Sequence, residues 1–353
     1  MYDDHAGRSA ALDTAFSSAI KLPTTHSATS APHHSISNTA GIAPRPMFNQ
    51  PVINDGYLWW YTDALSDDGR YGLTLIALVG NVFSPYYAKA RQRGEMNPND
   101  YCAINVAIYD RHTNKGLWAM TERGQRQLFR NQHELAIGPS QLRWEHDTVI
   151  IQLDEIATPL PRRVRGEIRI HPRALTTHHQ QLDYHGRHYW WPIAPDAQVE
   201  VRLQYPSIHW SGAGYLDSNW GDEPIAAGFI DWDWSRAKLR HHTAVLYDVR
   251  RRQGDPLALA LRFNRHGEAE PFNPPPRQSL PPTFWWKIAR TMQSDNNSRV
   301  LETLEDTPFY ARSTLQAHLL GESVSAVHES LSLERFIQPW VQLLLPVRMP
   351  RRA

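Results

Sequence analysis

The run GYLWWYTDALSDDGRYGLTLIALVGNVF, residues 56–83, sets the class of the fold. Two stretches dense in aromatic and β-branched residues, 57–65 and 71–83, flank the turn formers SDDGR, which reads as consecutive antiparallel strands. The texture repeats downstream in CAINVAIYD (102–110), GLWAMTE (116–122), LRWEHDTVIIQLDEI (142–156) and RVRGEIRIHP (163–172). The last alternates with period two, as a half-exposed strand does. RHYWWPI (187–193) and AQVEVRLQY (197–205) follow, and by Tyr205 the strands suffice for a small barrel.

The second half repeats the pattern in GFIDWDWSRA (228–237), the run 242–264, TFWWKIAR (283–290), YARSTLQAHLL (310–320) and SVSAVHESLSLERF (323–336), with hairpin turns expected at QGDP (253–256) and LLGESVS (319–325). PFNPPPRQSLPP (271–282) is too proline-rich for a central strand or helix interior and is expected as a surface loop or edge connection. The expected fold is all-β, with two antiparallel β-barrel or sandwich domains at 47–205 and 206–353 and a cleft near their junction. Residues 1–46, rich in Ser, Thr, Ala, His and Pro, read as a disordered extension with a short helix over Ala10–Ile20. The tail FIQPWVQLLLPVRMPRR (336–352) is expected either as a last strand with a solvated arginine end or as a segment touching an anionic membrane surface.

Composition narrows the chemistry. A net charge of +1 provides no global field for nucleic acid, and one cysteine, Cys102, excludes an intramolecular disulfide framework and fits a reducing cytoplasm. No apolar run is long enough to span a bilayer, and the opening MYDDHAGR lacks the character of a secretory signal. Thirteen tryptophans and fourteen tyrosines point to a large apolar or sugar-like ligand. Adjacent histidine pairs send their rings to opposite faces of a strand, so metal binding is not expected, and no phosphate-cradling or nucleophile-elbow motif suggests a nucleotide or an acyl-enzyme serine.

The chemistry concentrates in GYLDSNWGDEPIAAGFIDWDWSRA (214–237), with five acids and three tryptophans. Asp217, between Tyr215 and Trp220, would lose hydration if buried and persist as a neutral acid; alternatively it makes an Asx-turn with Asn219. In a strand, Asp231 and Asp233 share one face and Trp232 and Trp234 the other. The carboxylate pair suits proton transfer, with Arg236 expected on the face of Asp233 to offset repulsion; it also suits a polar outer face over buried indoles. Acids among indoles fit carbocation chemistry or, equally, sugar stacking in a glycosidase.

These motifs, YLDSNWG and IDWDWSRA with AVHESLSLERFIQPWVQLLLPVRMPR at the end, resemble the carotenoid 1,2-hydratase (hydroxyneurosporene synthase) family, within a wider group of two-domain lipocalin-like proteins. That group usually has a histidine after the aspartate, where this chain has Ser218. The resemblance implies lipocalin-like domains and cofactor-free addition of water to the terminal double bond of an acyclic carotenoid such as neurosporene or lycopene. Asp217 is then the expected acid and Asp233 or Asp231 the base. Tyr215, Asn219, Trp210, Trp220, Trp232 and Trp234 are expected around the substrate. It further implies peripheral attachment to the inner, photosynthetic membrane and a place beside other carotenoid-pathway enzymes. A non-catalytic carrier of a polyene or lipid is the alternative.

Overall fold

The computed structural model describes residues 45–352. The expectations of a disordered extension and of a helix over 10–20 therefore lie outside the described residues, except at Arg45 and Pro46. Pro46 is buried, and its carbonyl accepts the Trp144 indole N–H at 3.1 Å.

The strands and helices follow in chain order as β1 (Tyr57–Ser66), β2 (Tyr71–Val79), α1 (Pro85–Gln92), β3 (Cys102–Asp110), β4 (Lys115–Arg123), β5 (Leu128–Arg130), β6 (Glu134–Ile137), β7 (Ser140–Glu145), β8 (Thr148–Ile156), β9 (Arg163–Pro172), β10 (Gln180–Gln181), β11 (His188–Tyr205) and β12 (Ile208–Gly221). After α2 (Ile225–Gly228) come β13 (Phe229–Lys238), β14 (Thr243–Arg251), β15 (Leu257–Phe263), β16 (Ala269–Pro271), β17 (Arg277–Leu280), β18 (Arg290–Gln293), β19 (Arg299–Asp306), β20 (Tyr310–Leu319) and β21 (Glu322–Ser332). The chain closes with α3 (Leu333–Phe336), α4 (Pro339–Arg348) and β22 (Arg351–Arg352).

The first sheet runs β22-β4-β3-β2-β1-β12-β11-β9-β8-β7-β6-β5, with β10 added to β11, and curls into a half-barrel. The second runs β16-β15-β14-β13-β21-β20-β19, and β17 pairs with β18 alone. Alternation along β1 divides its side chains between two cores. Leu58 and Trp60 enter the half-barrel interior with Leu73, Leu75 and Ile104, while Tyr57, Trp59 and Tyr61 pack outward against Trp232, Trp234 and Leu331 of the second sheet. Each such large side chain, fully buried, contributes about 1.5–3 kcal/mol.

The all-β expectation holds, with instructive local departures. RHYWWPI and AQVEVRLQY form one strand, β11, whose register against β12 shifts between Trp191 and Ala194 and again between Ala194 and Ala197. Pro192 and Pro195 lie in these gaps, and proline cannot supply the ladder N–H. Both hairpin turns are present, one with Gly254 at φ 76° and the other with Leu320 and Gly321 at φ 52° and 78°, conformations that glycine accommodates most readily.

The linker 271–282 is an edge connection as expected, its short strand β17 pairing with β18 alone, but two expectations need correction. TFWWKIAR is irregular rather than a strand until Arg290, with a turn over 284–286 where the Asp306 carboxylate accepts the backbone N–H groups of Trp285 and Trp286. Most of the tail forms helix α4, and only Arg351–Arg352 add a short strand, β22, parallel to β4: Pro339 occupies the first turn of the helix, where its missing N–H costs nothing, and the leucine run favours helix. The expected division at 205/206 falls in the turn of the β11–β12 hairpin, while the chain passes from the first sheet to the second between Gly221 and Phe229.

Candidate active site

A cavity of about 340 Å³ lies between the outer face of the half-barrel and the second sheet. Register decides what lines it. On β1 and β12, Tyr61 is the cross-strand partner of Asp217 and Trp59 of Asn219, so all four side chains share the face turned to the second sheet. Opposite them, Trp234 of β13 pairs with Glu329 of β21 on one side and with Tyr247 of β14 on the other. Trp232 completes this wall, and Leu344 and Leu345 of α4 line one end.

Asp217 is 5% exposed and reaches the cavity. Its Oδ2 accepts the Trp190 indole N–H and the Tyr215 hydroxyl, each at 2.9 Å. Its Oδ1 has no partner among the described residues. Burial pushes the pKa of Asp217 well above the ordinary carboxyl value, overcoming the opposite pull of the two donors, and the nearby charges of Glu329 and Asp63 add to the rise. With Oδ2 occupied by two donors, the hydrogen of the neutral acid belongs on Oδ1. Tyr215 is itself held far above the usual phenol range by burial and then by Asp217, so it remains a donor.

Behind the acid stand two buried ion pairs. Asp63 pairs with Arg236 and Glu329 with Arg312, and Tyr61 links them: its hydroxyl accepts from Arg312 at 2.9 Å and lies 2.7 Å from Glu329 and 3.1 Å from Asp63. Burial raises the pKa of Glu329 while Arg312 holds it down. Each pair cancels its own charge, leaving the aromatic walls to face any cation formed in the cavity. Thr74 Oγ1, Trp234 Nε1 and Arg312 Nε, on residues lining the same space, also have no hydrogen-bond partner among the described residues.

Of the residues singled out in the sequence, Asp217, Asn219, Trp232 and Trp234 meet in the cavity, and Tyr215 holds Asp217 from behind. Asp231 and Asp233 lie across β13 from the indoles, away from it. Asp231 forms a bidentate pair with Arg250, and Asp233 accepts from Thr291 at 2.6 Å and from Ser330. Arg236 stands three positions after Asp233, hence on the indole face, and balances Asp63 rather than Asp233. Trp220 stacks on Tyr189 with ring centroids 5.4 Å apart, and Trp210 on Tyr71 at 6.4 Å within the half-barrel core.

Trp190, Tyr61, Glu329 and Arg312 were not anticipated. The odd-numbered face Tyr57, Trp59, Tyr61, Asp63 of β1 was a legible signal; the distant pairing with Glu329 was not. His188 is a further buried group, with Nδ1 2.9 Å from the Tyr57 hydroxyl and Nε2 3.2 Å from Glu223. Burial lowers its pKa.

A family model described as carotenoid hydratase CrtC matches residues 75–353. The acyclic carotenoid 1,2-hydratase of Thiocapsa roseopersicina is 53% identical over 308 residues, covering 87% of this chain and 76% of the relative. That of Rubrivivax gelatinosus is 50% identical over 313 residues, with the same coverage. Among solved structures, an AttH protein from Nitrosomonas europaea superposes with a TM-score of 0.57 at 12% identity, covering 82% of this chain and 99% of its own. Kievitone hydratase from Nectria haematococca superposes at 0.51 and 10%, covering 82% and 98%. These two share the lipocalin-like fold; the sequence matches go further, and the chain belongs to the carotenoid hydratase family.

Proposed function

We propose that this protein adds water to the terminal C1–C2 double bond of an acyclic carotenoid such as lycopene or neurosporene, without a cofactor. The observation that carries the mechanism is the setting of Asp217, a buried carboxyl group whose Oδ2 is held by two donors, whose Oδ1 is free in a cavity walled by indoles, and whose pKa burial pushes up. Asp217 gives its Oδ1 hydrogen to C2, the less substituted carbon, and the electron pair of the double bond forms the new C–H bond. The cation at C1 is tertiary and faces Trp59, Trp232 and Trp234, which stabilise charge without forming a bond to it. Water attacks C1, and the proton it sheds passes to Glu329, leaving the tertiary alcohol. Return of that proton to Asp217 completes the cycle. In this reading the base is Glu329 rather than Asp231 or Asp233: Glu329 lines the cavity, as Glu305 and Asp306 also do, and it alone of these shares the Tyr61 hydroxyl, on the cross-strand partner of Asp217. The substrate is insoluble in water, so the enzyme works peripherally at the inner, photosynthetic membrane, beside the other enzymes that process its pigment.

Purified protein given lycopene in detergent, without nucleotide, flavin, metal or oxygen, should yield a product one water heavier by mass spectrometry. A requirement for a redox cofactor would overturn the scheme, and tight binding with unchanged pigment would favour a carrier.

A further inference from the structure

The mouth of the cavity is ringed by apolar side chains that face solvent. Leu344 and Val347 of α4 line the cavity and are also exposed, so they mark its rim. Around them stand Phe284 (73% exposed), Trp285 (77%), Trp340 (43%) and Leu343 (77%). The two parts of this patch are one surface: Trp286 stacks on Trp340 with centroids 5.8 Å apart, and Arg335 donates to the Trp286 carbonyl at 2.6 Å. An apolar patch of this kind around a mouth marks a docking face.

We infer that this rim docks on an anionic lipid bilayer and that only the end of the hydrocarbon chain enters the cavity while the remainder stays in the lipid; the second half of this inference rests on the function proposed above. Charge selects the occupant. Arg348, Arg352 and Lys287 are exposed beside the rim, Lys287 next to Phe284, while Arg351 is taken up by Glu122; against the one exposed acid Glu334, the cations that border the apolar surface suit phosphate headgroups. Geometry selects it as well. A second copy or another folded protein seated here would seal the mouth, whereas a bilayer leaves a path for hydrocarbon. Volume agrees: about 340 Å³ is at the small end of the ~300–1,000 Å³ that encloses a drug-sized ligand, so a C40 polyene cannot be taken in whole. A symmetric carotenoid would therefore be hydrated one end at a time, with release between the two events.

The test uses the full chain and the variant Phe284→Ser/Trp285→Ser/Leu343→Ser, three exposed side chains that do not line the cavity. Flotation with phosphatidylglycerol-containing vesicles should show the wild type bound and the variant bound roughly tenfold or more weakly. Hydration of lycopene embedded in those vesicles should fall in parallel. Hydration of a short, water-dispersible acyclic polyene with the same end group should not change, which separates loss of docking from loss of fold. Equal flotation of the two proteins would overturn the inference. So would a wild type that does not float yet hydrates the short substrate, or one that sediments as a dimer while the variant is monomeric and neither floats. Wild-type protein that floats through the rim but hydrates neither substrate would sink the proposed function and leave the docking surface standing.

Discussion

Asp217→Asn separates the two properties on which the chemistry depends. The amide oxygen of asparagine can accept the same Trp190 and Tyr215 donors, and its NH₂ takes the place of the unpartnered Oδ1. Below the titration of Asp217 the substitution exchanges one neutral group for another, so stability should change by no more than about 1 kcal/mol. Turnover should fall by about 10²–10⁴-fold, the usual contribution of a positioned acid, equivalent to about 2.7–5.5 kcal/mol of barrier. The pH dependence of stability is the sharper test. Because the folded pKa of Asp217 is raised, the unfolded chain releases this proton first, and wild type loses stability as pH climbs from the ordinary carboxyl range toward the folded value. The loss from this one group approaches about 1.36 kcal/mol per pH unit, and the asparagine variant lacks it. Thermal melts of both proteins across a pH series should therefore converge in acid and diverge as pH rises, with the variant the more stable. Parallel curves would show that Asp217 is not a raised acid, and a fully active variant would move the proton donor elsewhere.

Other perturbations test the surroundings of the acid. Tyr215→Phe removes a donor that favours the ionised carboxylate, so the alkaline limb of the kcat profile should move to higher pH while turnover falls about tenfold; a stationary limb would refute the contact's role. Glu329→Gln should remove the acid limb, because the proton acceptor is gone. By leaving the buried Arg312 with only the more distant Glu305, 3.9 Å away, it should also destabilise the protein in denaturant unfolding, by up to about 3–5 kcal/mol. Asp231→Asn breaks only a partly exposed pair with Arg250 and should leave stability within about 1 kcal/mol and turnover within about twofold. A tenfold loss of activity there would return Asp231 to the chemistry.

The strands were legible because each reports itself locally. The aromatic-rich run at 57–65 suits a pleated strand, the alternation at 163–172 follows from the two-residue period of the backbone, and DWDW divides its acids from its indoles by the same rule. Where long-range contacts override propensity, the local signal misleads. The Trp285 and Trp286 segment has the composition of a strand, but Asp306, some twenty residues away, ties its N–H groups into a turn. The tail was ambiguous because a short leucine-rich run suits strand or helix, and packing beside the cavity mouth resolved it.

By itself the chain order of residues determined an all-β protein, the face of each strand that its aromatic residues occupy, and Asp217 as the carboxyl group set among rings. Which acid joins Asp217 was decided only in three dimensions. Register on β1, β12, β13 and β21 brings Tyr61 and Glu329 to it from positions far apart in the chain and turns Asp231 and Asp233 away. The physical reason is range. Side-chain direction along a strand is set by neighbouring peptides, whereas hydration, charge pairing and proton affinity depend on whatever the opposing sheet brings within a few ångströms.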